Sequence, residues 1–168
     1  MTTKRPSIVM SMLAFATLAA PSSALAQYEY AQWGMSLEQL IAASGGILTK
    51  EKDRKDRRIE GQRRLATGTA DSDGIRLETR FYFAPKADEL TRVNLIPAKE
   101  DCIKYRDQQL ALLGDVTPDY ENDNFEAGDQ TIFQDLYEWN DPGGAGKVLF
   151  AMVRFDDKPQ HCQLQHQK

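Results

Sequence analysis

The sequence predicts an α+β domain in which two helices pack on one face of an antiparallel sheet. Three observations predict it. Residues 75–83 alternate strictly, with Ile75, Leu77, Thr79, Phe81 and Phe83 on one side and Arg76, Glu78, Arg80 and Tyr82 on the other, the period of a strand with one covered face. Two other segments carry apolar residues at helical spacing, one of them opened by a capping signal. The order helix and three strands occurs twice, equivalents lying about 65 residues apart, which predicts a tandem layout of two such units.

The chain opens with Lys4 and Arg5, continues in an almost uncharged run over 8–20, and passes through Pro21, Ser22 and Ser23 to Ala24-Leu25-Ala26. A basic end, an apolar middle and a small-residue cleavage site form a secretory signal in its reading order. The apolar run is shorter than the roughly 20 residues that span a bilayer. The expectation is therefore a signal peptide over 1–26 and a single periplasmic α+β domain over 27–168, with no transmembrane segment after cleavage. Loss of Lys4 and Arg5 leaves 19 bases against 25 acids, so the net charge moves from −4 to −6. That acidic balance argues against a nucleic-acid binder.

Within the domain, Ser36-Leu37-Glu38-Gln39 has the form of a capping box, and Leu37, Leu40 and Ile41 lie on one face of a helix that Gly45-Gly46 stops. A strand over 64–70 and a turn at 71–74 lead into the alternating strand. A third strand over 90–96 ends at Pro97. The second helix is expected over 99–113, with Cys102, Ile103, Leu110 and Leu113 as its inner face and Gly114 as its stop. An acidic loop then leads to strands over 131–139, 147–155 and 160–165, with a wide turn at 140–144.

This order, with the signal and the Trp33-Gly34-Met35-Ser36 helix entry, resembles small bacterial periplasmic proteins laid out like the β-lactamase inhibitor protein or the small outer-membrane assembly lipoproteins. The resemblance is architectural and runs from Trp33 onward. It implies the layout of helices on one sheet face and carries over no docking or inhibitory residue. The cysteine that a lipidated assembly protein needs after its cleavage site is absent here.

Two cysteines, Cys102 and Cys162, remain after cleavage in an oxidising compartment, where they are expected to pair and close a loop worth roughly 4 kcal/mol on the chain-entropy model. His161 and His166 flank Cys162, but five residues along a strand span about 16 Å and put the two imidazoles on opposite faces, so no shared metal is expected. Asp119, Glu121 and Asp123 mimic the start of a calcium loop, yet Asn124 replaces the turn glycine and Gln130 the closing Glu. A solvated acidic loop is the better account.

Residues 50–64 hold eight bases and four acids, a block of +4 inside an otherwise acidic domain. Two readings stand: a solvated charged loop, or a docking strip in which Arg54, Lys55, Arg57 and Arg58 meet an anionic partner. A second candidate surface is the outward side of the alternating strand, where Arg76, Arg80 and Tyr82 would serve protein recognition. No nucleophile elbow, phosphate loop or zinc motif is present, so no catalytic residue, cofactor or metal is expected. The reading is a secreted periplasmic binding protein of the cell envelope, its partner an envelope protein or an anionic envelope surface. The alternative is an envelope hydrolase using paired carboxylates.

Overall fold

The computed structural model describes residues 30–141 and 146–168. The expected signal peptide and most of the turn at 140–144 lie outside the described residues. Among the described residues, no helix is long and apolar enough to cross a membrane.

Two helices and nine strands follow in the order α1 (Leu37–Ala43), β1 (Thr49–Lys50), β2 (Arg58–Ile59), β3 (Gln62–Ser72), β4 (Ile75–Phe83), β5 (Leu90–Pro97), α2 (Cys102–Leu112), β6 (Asp119–Ala127), β7 (Gln130–Asn140), β8 (Lys147–Phe155) and β9 (Lys158–Gln167). All pairings are antiparallel, and the sheet reads β1-β3-β4-β5-β9-β8-β7-β6, with β2 folded back on β3. The first half is thus a meander of β3, β4 and β5, the second a meander of β6 to β9. Strand β9 sits between them.

Helix α1 begins as its capping box dictates. The Gln39 amide donates to Ser36 Oγ at 3.2 Å and the Ser36 amide to Gln39 Oε1 at 2.8 Å. Gly45 and Gly46 end it in the left-handed region, at φ 64° and 86°. Both helices face the side of the sheet built by Ile75, Leu77, Phe81, Val93, Leu95, Val148, Phe150, Met152 and Leu164, which with Leu37, Leu40, Cys102 and Tyr105 form one hydrophobic core. Cys102 and Cys162 are bonded, with Cα atoms 5.8 Å apart, tying the start of α2 to the middle of β9.

Three expectations need correction. The segment expected as an acidic loop forms β6 over nine residues, each paired with β7, so the second unit has four strands after its helix. The inner face of α2 is Cys102, Tyr105, Gln109 and Leu113, whereas Ile103 is exposed. Tyr82 points to the side of the sheet away from the helices, as the alternation requires, but is only 1% exposed. Its register partners are Arg64 on β3 and Arg92 on β5, and Glu60, in the β2–β3 turn, accepts from Arg92 at 2.5 Å.

Candidate functional site

Among the described residues no helix covers the sheet side away from α1 and α2. The registers lay side chains across it in rows. One row runs Thr67, Arg80, Asn94, Gln165, Leu149, Glu138 and Asp119, from β3 to β6. The next places Gln163, Ala151, Leu136 and Glu121 across β9, β8, β7 and β6, and a third His161, Val153, Gln134 and Asp123. The face therefore changes character from strand to strand, with ion pairs on β4, amides on β5 and β9, aliphatic groups on β8 and carboxylates on β6.

On β4, Arg80 and Glu78 form a two-point ion pair, Nε to Oε1 at 2.7 Å and Nη2 to Oε2 at 3.0 Å. The hydrogen bond from Arg80 holds the Glu78 carboxyl below its usual range. Arg76 is exposed further along the same strand. His161, across the sheet on β9, is pushed below the usual imidazole value first by desolvation and then by the charge of Arg80. At the centre, Asn94 is fully buried and donates to Gln163 Oε1 at 3.1 Å, while its own Oδ1 has no partner among the described residues. Leu149, Ala151, Val153 and Leu136 are each half-buried beside these amides.

The basic segment takes a different form from a free docking strip. Arg54 pairs with Asp56, Arg58 with Asp53, and both Arg57 and Arg64 with Glu51, while Lys50 reaches Glu38. With Glu60 on Arg92, all four acids of the segment hold a guanidinium. The +4 excess survives as a sum, but Arg54, Arg57 and Arg58 are oriented by their own neighbours. Lys55 has no ion pair among the described residues. Glu51, shared by Arg57 and Arg64, brings the segment against the sheet, since Arg64 flanks Tyr82 in the register. The two predicted surfaces are adjacent at this corner, with the basic segment as its rim and the open face beyond.

Histidines 161 and 166 lie on opposite sides of β9, His161 on the open side and His166 within the core, and among the described residues no cluster of His, Cys, Asp and Glu could hold a metal ion. Acids converge in two adjoining depressions, the wider of which, about 520 Å³, is lined by Asp119, Glu138 and the buried Asp141 with Lys147. The other, an open depression of about 400 Å³, is lined by Asp119, Glu121 and Glu138 around Leu136, Leu149 and Tyr120. Asp119 and Glu121 are exposed and Glu138 pairs with Lys147. A carboxyl kept protonated for acid catalysis at neutral pH needs an apolar, water-poor pocket. This depression does not provide one.

The amides and aliphatic groups of the open face were not singled out from the sequence. Their signal is parity: once Val148, Phe150 and Met152 are core, Leu149, Ala151 and Val153 must form a second apolar stripe on the other side of β8. No protein-family model, curated protein or solved structure matches the chain.

Proposed function

We propose that the protein is an exported, non-enzymatic binding protein of the cell envelope that docks a partner protein on the open face of its sheet. The observation that supports this reading is the belt of half-buried Leu136, Leu149, Ala151 and Val153 beside the amides of Asn94, Gln163 and Gln165, bounded by Arg76, Arg80 and Glu78. Such a surface has an apolar centre that gains from losing water and polar groups at its margin that set orientation. On this reading the chain shares with the inhibitor-like periplasmic proteins a layout and no docking residue. The bonded cysteines are consistent with an oxidising compartment.

The test is site-specific photo-crosslinking in intact cells. A photoreactive phenylalanine at Ala151 on the open face should yield a discrete adduct that Ala151→Glu in a competing copy fails to suppress. The same probe at Leu112, exposed on the last turn of α2, should yield none. Equal adducts at the two positions would remove the open face as the docking surface. Cell fractionation with the intact mass of the exported form tests the compartment, since a periplasmic product is expected to begin at Gln27.

A further inference from the structure

The second exposed feature is the rim of the sheet at β6. Native sheets blunt their edges by short strands, bulges, prolines or charge, because an unpaired row of N–H and C=O groups templates another strand. At the opposite rim β1 is two residues long, and β3 is bulged between Arg64 and Ala66. Strand β6 has neither device. It runs nine residues in unbroken register with β7, every residue is exposed, and no proline lies within it. Its only protection is charge, from Asp119, Glu121, Asp123 and Glu126.

That charge is selective. Antiparallel pairing of two β6 strands would bring eight carboxylates together, which closes the edge to a second copy. Among the described residues no base forms an ion pair with Asp119, Glu121 or Asp123, the nearest cation, Lys147, being held by Glu138 and feeling the charge of Asp119, and the sequence has no Lys or Arg anywhere over 107–146. The basic segment of another copy is also unsuited, since its arginines are held by their own acids and its backbone is already in β1, a 3-10 turn and β2. Beside the strand lies the open depression of about 400 Å³, with Leu136 and Leu149 lining it together with the acids Asp119, Glu121 and Glu138. Aliphatic lining with carboxylates matches a lysine or arginine side chain, whose apolar stem packs while its charged head stays at the wet rim. Tyr120 and Phe125, 53% and 54% exposed, add aromatic surface along the same strand.

We infer that β6 is a strand-acceptor site for an extended, basic polypeptide segment of a partner, which adds to the sheet edge by main-chain hydrogen bonds and seats a Lys or Arg side chain in the depression beside Leu136 and Leu149. This surface shares Leu136 and Leu149 with the open-face belt, and its test is distinguished from that of the docking reading by protection of the β6 main chain, which the belt does not involve. Main-chain pairing supplies the affinity and the alternate side chains the selectivity.

The probe is a fluorescent peptide of about eight residues, the length β6 can pair at roughly 3.3 Å per residue, alternating lysine with valine or threonine. It is titrated into the oxidised full chain and followed by anisotropy. The expected result is saturable binding that weakens as salt rises to about 0.15 M, where the Debye length is about 8 Å. Binding should be accompanied by slowed amide exchange in residues 119–127. A peptide of equal charge with prolines in place of the valines cannot donate to the ladder and should bind at least about tenfold more weakly. Glu121→Lys with Asp123→Lys should abolish binding. If that variant unfolds, Glu121→Gln with Asp123→Asn replaces it and should weaken binding about tenfold or more. Any of four results overturns the inference: no binding, equal binding of the proline peptide, equal binding of an acidic peptide of the same pattern, or protection confined to residues outside β6. Concentration-dependent self-association through β6 would likewise overturn it in favour of a second copy.

Discussion

His166 is placed where its protonation opposes folding, and the effect can be worked through. Its ring lies on the core side of β9, between Val93 and Val148 in the register, is 5% exposed, and its Nδ1 has no partner among the described residues. Burial lowers its pKa from 6.5 to about 4, the Asp141 carboxylate opposing this only in part. Because the folded state disfavours the charged imidazole, the unfolded chain binds the proton more tightly, and stability is full above the unfolded value and falls as pH drops below it. Linkage over that interval amounts to about 3 kcal/mol at pH 4, with half of it gone by about pH 5.4. The assay is the urea midpoint of the parent and of His166→Leu between pH 7.5 and pH 4. Carboxylates that titrate in both proteins cancel in the difference, so the parent should lose about 3 kcal/mol more than the variant. A difference that stays flat across this range would show that the imidazole does not titrate against the fold, and the reasoning from burial would fail.

Replacing Cys102 and Cys162 together by Ala should lower the stability of the oxidised protein by about 4 kcal/mol, the entropy of a 60-residue loop, read as a shift in urea midpoint; an unchanged midpoint would contradict the pairing. Gly68→Ala should cost about 1–3 kcal/mol in the same assay, because the new Cβ would lie 2.4 Å from Leu48 Cδ2 and 3.1 Å from Thr79 Oγ1, and that increment should shrink when measured in a Leu48→Ala background. Asp135 is 2% exposed and accepts from Arg154, Asn122 and Tyr120; burial raises its pKa, but these hydrogen bonds outweigh burial and hold it below the usual carboxylate range. Asp135→Asn should therefore destabilise by about 2 kcal/mol and open β6 first, with amide exchange over 119–127 accelerating before that of β4.

Strand β4 was legible because one of its faces is fully covered: Ile75, Leu77, Thr79, Phe81 and Phe83 are all at 0% exposure, and a period of two follows from that alone. The capping box of α1 was legible because it is a local device whose partners are three residues apart. Strand β6 was not, since Asp and Asn are depleted in strands and its pairing with β7 is its only support. The inner face of α2 was misread because Tyr105 and Gln109 face the sheet while the aliphatic Ile103 and Leu112 face water. The candidate site shows the same division. Alternation gave the orientation of Arg76, Arg80 and Tyr82, but not the burial of Tyr82, which lies between Arg64 and Arg92 in the register, Arg92 being held by Glu60 far from it in sequence. The pairing of Arg57 and Arg64 with Glu51 likewise needs the chain to reverse at Gly61, and residue types alone do not show that reversal.

The position of β9 makes the molecule a two-part clasp. Without it, β5 and β8 would each be the raw edge of a half-sheet with an apolar inner face, one built of β1 to β5 and the other of β6 to β8, and neither half could complete its hydrogen bonding from local chain. The contact that joins the halves pairs residues about 70 positions apart, Leu95 with Leu164 and Asn94 with Gln165. Closure is therefore slow relative to either meander and leaves two raw edges exposed until it occurs. The Cys102–Cys162 bond anchors β9 at α2, which precedes the second meander, and so shortens the search for that slot. In reduced protein, amide exchange along the paired edges of β5 and β8 should rise together and aggregation should start from that state, because releasing one strand opens both halves at once.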